Sequence, residues 1–467
     1  MAKTSNTRQE KDFLGSISIP SNAYFGSHTQ RALENFNISG LTAPKIFAQA
    51  IGTVKLSALL TNYELGLIKE KEKNAMQKAI NEFLDGNFDN QFITDIFQAG
   101  AGTNYNMNIN EIIANRANEL LGKEKGSYSP IHTNNHVNMA QSSNDIMPTA
   151  TRVAVLNALP QFLKEIIELE KTIETKQKKY ANTLKVGRTH LQDAVPISFG
   201  QEFDSYKQAI QASRIFIKNM SEELKILGIG GTAVGTGITA DPKYKPLMIK
   251  NLSKLTKINF TRAKNSTEIA NNMTSFLNLS AGLRSLAINI LNMCSDIKLM
   301  NMGPKAGISE IILPAVQPGS SIMPGKVNPS ILEATEMVMM QVLGNDKTIE
   351  LACQKSQFEL NVYCPLIMQN LLYSIEIFKN AISTLNNKCL KGLEVNLKRT
   401  SSLFENSLCI ATALVPHIGY ELTAEIVKSA LQNNISIKEE VIKRKIFPTK
   451  KLQKIFSIEA ITNPIKI

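Results

Sequence analysis

The chain has 467 residues, 43% hydrophobic and 20% charged, with 52 Lys and Arg against 40 Asp and Glu and a formal charge of +12. The length exceeds one ordinary core and predicts two or three domains that share one long bundle. The composition is that of a soluble globular chain, and no apolar run approaches the ~20 residues that span a bilayer. Most of the positive excess is spread as single lysines on helical faces. Its one cluster, Lys443-Arg444-Lys445 to Lys450-Lys451, has no nucleic-acid motif beside it, so neither nucleic acid nor a membrane is an expected partner. The polar stretch Met1 to Lys11 lacks the apolar core of a signal peptide, and a cytoplasmic protein is expected. The five cysteines contain no CxxC pair and sit among apolar neighbours, which predicts buried free thiols. The five histidines have no ligand spacing, so no metal site is assigned. A divalent activator is not readable from the sequence.

Residues 1–143 mix short elements and are read as an N-terminal, mainly helical domain with a β arm. Phe13 to Pro20 alternates and stops at proline, predicting a short strand or hairpin arm. Pro44 to Leu65 and Lys69 to Leu84 read as amphipathic helices. Residues 144–398 show long helix after long helix, a central bundle. Phe162, Leu163, Ile166, Ile167, Ile173 and Tyr180 keep three-to-four spacing. So do Phe276, Leu283, Leu286, Ile290, Leu291, Cys294 and Ile297, in a segment that Asn265-Ser266-Thr267-Glu268 opens like a capping box. Some apolar stripes are wide, as expected where a bundle is also buried against other subunits. Residues 399–467 read as a small C-terminal helical domain, with a turn at Pro416 to Tyr420. The run Gly228 to Gly237 (GIGGTAVGTG) is read as following no strand of a βαβ unit, which argues against a dinucleotide site.

Four polar stretches interrupt the helical pattern: Gly102 to Asn108, Gln141 to Asp145, Gly187 to Asp193, and Pro318 to Pro329. The last is punctuated by Gly319, Gly325, Pro318, Pro324 and Pro329, and predicts a loop that moves as a unit. Asn328 and Pro329 read as cap and first residue of a new helix with Glu333 near its start, a terminus that offers N–H groups to an anion. Hydroxyls and amides dominate all four stretches, and only Lys326 and His190 pair obviously with acid–base or anion chemistry. That inventory suits holding carboxylates by many neutral donors. There is no Walker loop and no acidic pair for magnesium.

Together these stretches resemble the aspartase/fumarase superfamily. GSSIMPGKVNP (Gly319–Pro329) matches its signature loop, and GRTHLQDAVP, GTAVGTG and QSSND match further segments, over nearly the whole chain. The resemblance implies a mainly α, three-domain lyase fold whose central five-helix bundles form a twenty-helix core in a homotetramer. Each active site would then take residues from three subunits. It also implies reversible anti elimination of ammonia or water from a small dicarboxylate to give fumarate, with no required cofactor. Carried over position by position, Ser320 resembles the base that removes the C3 proton. Thr103, Ser142, Ser143 and Ser321 resemble the cradle of the β-carboxylate, and Lys326 and Asn328 the holders of the α-carboxylate. Asn144, Thr189 and His190 resemble the amino-group side, with Glu333 orienting His190 and Arg31 in support.

Within the family, Ser21 to Ala32 looks like the aspartase version, because class II fumarases carry a Trp near Phe25 and this chain has none. Ala101-Gly102-Thr103, and Gly126-Ser127-Tyr128 with Asn135 to Met139, lean the same way. Ser143 is the fumarase choice, His190 occurs in fumarases and in some aspartases, Cys364 matches neither habit, and the stretch from Thr267 to Ser275 departs from the usual aspartase segment. Aspartate ammonia-lyase is therefore the leading implication, class II fumarase the alternative, and a scaffold that keeps the fold without the activity the remote one. Read without the family, Thr103, Ser142 and Ser143 are turn or capping hydroxyls, His190 is as readily structural as functional, and Arg31 is a surface ion-pair residue. His28, His132, His136 and His417 are read as structural.

Overall fold

The structure is a computed structural model that describes residues 7–464. Residues 1–6 of the polar N-terminal stretch and 465–467 of the expected C-terminal domain lie outside the described residues. The chain opens with an antiparallel hairpin, β1 (Thr7–Asp12) and β2 (Gly15–Pro20). Alternation in the sequence marks only the second arm, because TRQEKD is held by charge. Arg8 donates to the carbonyls of Pro20, Ala23 and Phe25 and pairs with Glu10, while Arg31 grips Asp12 through two bonds of 2.7 and 2.9 Å.

Helices then dominate: α1 (Ser27–Asn35), α2 (Lys45–Glu64), α3 (Glu70–Leu84), α4 (Thr103–Leu120) and α5 (Ser143–Lys179). A second hairpin, β3 (Leu184–Thr189) and β4 (Gln192–Ser198), leads into α6 (Phe199–Glu222), the two-residue β5 (Ile226–Leu227), α7 (Tyr244–Thr256) and β6 (Thr261–Arg262). Next come α8 (Ser266–Asn271), α9 (Thr274–Asn301), β7 (Ile311–Ile312), α10 (Ser330–Cys353), α11 (Cys364–Leu385) and β8 (Glu394–Val395). Six short helices close the chain: α12 (Leu397–Asn406), α13 (Val415–Ile418), α14 (Tyr420–Asn433), α15 (Ile437–Lys443), α16 (Thr449–Ile455) and α17 (Ile458–Thr462). The fold is mainly α, as expected. Five helices are long, with 37 residues in α5, 24 in α6, 28 in α9, 24 in α10 and 22 in α11. No helix among the described residues is long and apolar enough to cross a membrane.

The chain divides into two compact units, one of residues 1–163, 215–285 and 341–378, the other of 164–214, 286–340 and 379–467. The first is built around Ile109, Ile112, Ile113, Ile146, Val153 and Phe162, with the Phe162 and Phe378 rings 5.4 Å apart. In the second, Val186 of β3 joins Leu414, Ile426, Ile437, Val441 and Leu452 in one buried cluster.

Four sequence expectations change here. Helix α2 is buried on nearly every face rather than amphipathic, because α7 covers the side that α3 leaves open; Ser57 donates to the Met248 carbonyl and Asn251 to Thr61. The Asn265 cap is real, but it opens the six-residue α8. The long helix starts afresh at Thr274, whose N–H is taken by Asn272. The glycine run does follow a strand: β5 pairs in parallel with β6 across α7. No helix starts at its end, however, since α7 begins only at Tyr244. Finally, Pro329 rather than Asn328 caps α10, its carbonyl accepting from Leu332 and Glu333. All five cysteines are free, four buried and Cys353 partly so.

Candidate active site

In the first unit the predicted hydroxyls gather at two helix starts. Ala101 and Gly102 both take left-handed backbone (φ 59° and 73°), so the chain turns sharply into Thr103, the first residue of α4. A side chain at Gly102 would strike Met147, which is why the close approach needs glycine. Ser142 caps α5: its carbonyl accepts from Asp145 and Ile146, its hydroxyl accepts from Asn144 N, and its own N–H goes to Asp145 Oδ1 at 3.0 Å. The capping reading of Ser142 therefore holds, and it leaves the hydroxyl proton to donate elsewhere. Asn106 Nδ2 reaches Ser143 Oγ at 3.2 Å, which ties the first turns of α4 and α5 together. Two helix N-termini with their hydroxyls form a field that favours an anion. Asn144 donates to the Ala233 carbonyl at 2.7 Å, so GTAVGTG is locked to QSSND. Pro148 lacks the N–H that would ordinarily bind the Asn144 carbonyl.

Beneath this cradle lies a polar network that the sequence reading missed. Lys55, fully buried in α2, donates to Asn138 Oδ1 at 3.1 Å and Gln141 Oε1 at 2.8 Å. Asp145 accepts from Ser142, Gly230 and Thr232 N–H groups, which pins the turn from a third side. Burial raises the Asp145 carboxyl to about 6 against those donors and pulls the Lys55 ammonium down to about 7. A lone lysine inside an apolar helix carries no marker of this in sequence.

One prediction arises from Lys55. In the unfolded chain it keeps its proton to about 10.5, but in the folded chain only to about 7. Between those values the unfolded state binds more protons, so this group makes stability rise with pH, by at most about 1.4 kcal/mol per pH unit. Asp145 has finished titrating below that window. Lys55→Met should flatten the rise, as read from melting temperatures across the window. Parallel curves for the two proteins would refute it.

Apart from Arg31, the other predicted residues belong to the second unit. Thr189 and Gln192 close the β3–β4 hairpin, and His190 and Leu191 form its two-residue turn with φ of 55° and 60°. Asn and Gly favour such a turn; two bulky residues there are strained, each at a cost of roughly 1 kcal/mol or more. Both side chains are exposed, and His190 makes no hydrogen bond among the described residues. The hairpin is braced below its tip, where Arg188 pairs with the fully buried Glu310 carboxylate through bonds of 2.8 and 3.1 Å.

The 318–329 loop closes on itself. Gly319 N donates to the Lys326 carbonyl and Asn328 Nδ2 to the Gly319 carbonyl, both at 2.8 Å. Gly325 has the positive φ expected of it, whereas Gly319 is required for a different reason: a Cβ there would meet Asn328 N at 2.7 Å. Ser320 Oγ accepts from the N–H groups of Ile322 at 3.2 Å and Met323 at 3.0 Å. Ser321 and Lys326 are exposed. Glu333, on the first turn of α10, is also exposed, and no hydrogen bond or ion pair joins it to His190 among the described residues. Arg31 serves the N-terminal hairpin through Asp12. No group of His, Cys, Asp and Glu able to hold a metal ion occurs among the described residues.

Two family descriptions match the chain: Lyase over residues 15–344 and Fumarase C C-terminus over residues 410–463. An aspartate ammonia-lyase of Bacillus sp is 43% identical over 459 residues, 98% of each chain. A class II fumarate hydratase of Bradyrhizobium diazoefficiens is 40% identical over 459 residues, 98% of this chain and 97% of its own. Among solved structures, the fumarate lyase:delta crystallin from Brucella melitensis bound to cobalt is similar with a TM-score of 0.94 at 39% identity, over 98% of this chain and 100% of that one.

Proposed function

The chain belongs to the aspartase/fumarase superfamily of lyases, and on that premise we propose that it eliminates ammonia reversibly from L-aspartate to give fumarate. The observation that carries this reading is Ser320 Oγ accepting two backbone N–H groups. A serine hydroxyl is too weak a base unless its anion is stabilised, and two fixed donors lower the cost of the alkoxide. Ser320 takes the C3 proton, and the freed electron pair moves into the β-carboxylate as an aci-dianion. Thr103, Ser142, Ser143 and Ser321 donate to that dianion, tightening as its charge grows. Lys326 and Asn328 hold the α-carboxylate. The C–N bond then breaks and its electrons leave with neutral ammonia, seated by Asn144, Thr189 and His190, with Glu333 beside His190. No cofactor is part of this scheme.

The reading includes a homotetramer whose sites draw on three copies of the chain, which supply the residues in complementary sets. Exposed apolar side chains on long helices, Ile288, Met337 and Met340, support such an assembly. Ser143 favours a second reading, class II fumarase, in which a histidine must relay a proton to departing hydroxide. Ultraviolet absorbance of fumarate decides between them. L-aspartate should be turned over and L-malate poorly or not at all, and His190→Gln should keep appreciable deamination, since glutamine accepts a hydrogen bond but shuttles no proton. Efficient hydration of fumarate, with no aspartate formed from fumarate and ammonia, would overturn the assignment.

A further inference from the structure

Asp145 stands between residues that the proposed chemistry needs together. It lies in the first turn of α5, is 5% exposed, and turns its two carboxylate oxygens to different parts of the chain. Oδ1 accepts from Ser142 N at 3.0 Å while the Ser142 carbonyl accepts from Asp145 N, the reciprocal pattern of a helix cap. A cap requires no more than that. Oδ2, however, accepts from Gly230 N at 3.0 Å and Thr232 N at 2.9 Å, 85 and 87 residues further along the chain.

Those two bonds hold the glycine run in a shape it would not adopt alone. Thr232 is β-branched yet takes left-handed backbone, φ 54°, a conformation that persists only where its surroundings fix it. The run is fixed again further on, where Thr267 Oγ1 donates to the Val234 carbonyl at 2.8 Å. Between these fixings lies Ala233, whose carbonyl accepts from Asn144 Nδ2 at 2.7 Å. One oxygen of Asp145 thus sets Ser142, and the other sets the segment that orients the Asn144 carboxamide.

We propose that Asp145 is a positioning residue of this site, whose carboxylate fixes Ser142 and Asn144 relative to each other so that both face one substrate. The inference rests on the reading above, in which Ser142 donates to the β-carboxylate and Asn144 seats the departing ammonia. Accepting three N–H groups requires the ionised form, because protonation makes one of the two oxygens a hydroxyl donor. Burial holds this carboxyl up at about 6. The groups that face it are Lys55 from α2 and Tyr244 and Lys245 from α7, with Arg152 of its own helix on the wall of the same narrow cavity. Positioning is therefore present above about pH 6 and is lost as pH falls through that value.

Asp145→Asn keeps the shape of the side chain but sets an amide nitrogen against either the Ser142 N–H or the two N–H groups of the run. In the full-length protein kcat/KM should fall about 10²-fold at neutral pH, the effect of misplacing a substrate contact by about 1 Å. The pH profile separates this from lost stability. Wild-type kcat/KM should drop through a step near about 6 that the variant lacks. A second measurement needs no variant: hydrogen exchange of the wild-type protein, read on the peptide spanning 228–237 and corrected for intrinsic rates. Gly230 and Thr232 should lose protection through the same step. Protection that stays constant through it, or a variant with wild-type kcat/KM or an unchanged step, would overturn the proposal. Turnover of L-malate in place of L-aspartate would overturn the aspartase reading alone, and the profile is then read with malate. Turnover of neither would overturn both.

Discussion

Ser320→Ala should lower kcat for aspartate deamination by roughly 10⁴-fold, the upper range for loss of a positioned general base. The melting temperature should stay almost unchanged. Ser320 sits in a loop whose closure is made by Gly319, Lys326 and Asn328, so losing one partly exposed hydroxyl removes only its own two N–H contacts. Surface changes of that kind fall within about 0.5 kcal/mol. Steady-state kinetics and a thermal melt on the same preparation separate the two effects. A variant that keeps most of its kcat would move the base to another group, with the strained His190 the first to examine.

Lys326→Met should cost roughly 10²- to 10³-fold in kcat/KM, as expected when a carboxylate loses a charged partner worth about 2–5 kcal/mol. Both constants should change, KM because the α-carboxylate loses its counter-charge and kcat because C3 loses alignment with Ser320. In the structure only the Lys326 backbone carbonyl serves the loop, accepting from Gly319. Its ammonium makes no ion pair among the described residues and is exposed, so the loop should close normally without it. Unaltered kinetics would show the ammonium to be a solvated loop charge.

The 318–329 loop, the hydroxyls at the start of α5 and the long helices were legible in sequence because each is written locally. A run of glycines and prolines punctuates the loop, three-to-four apolar spacing marks α5 and α9, and serine before asparagine and aspartate marks the start of α5. Such signals depend on neighbours within a few residues, where backbone sterics and helix periodicity act. Even there the exact cap shifted, from Asn328 to Pro329 for α10, and for α9 from Asn265 to Met273, whose carbonyl accepts from Phe276 and Leu277, because an asparagine can cap a helix or clasp a loop with equal local merit.

What the tertiary structure alone decided involves partners far apart in the chain. The tip Thr189-His190-Leu191-Gln192 has none of the residues that signal a tight hairpin, so its turn is imposed by strand pairing and by Arg188 on Glu310, a bond spanning 122 residues. Lys55 reads as one lysine in an apolar helix until α7 buries the far side of α2 and Asn138 and Gln141 arrive to meet its ammonium. Arg152 likewise reads as an ordinary helix arginine, and only packing strips it of water and leaves its Nε without a hydrogen-bond partner. The sequence thus determined the family and the helical elements of its fold. Burial decided which charges and hydroxyls are held without water, because desolvation depends on every element packed around a group and not on the residues beside it in the chain.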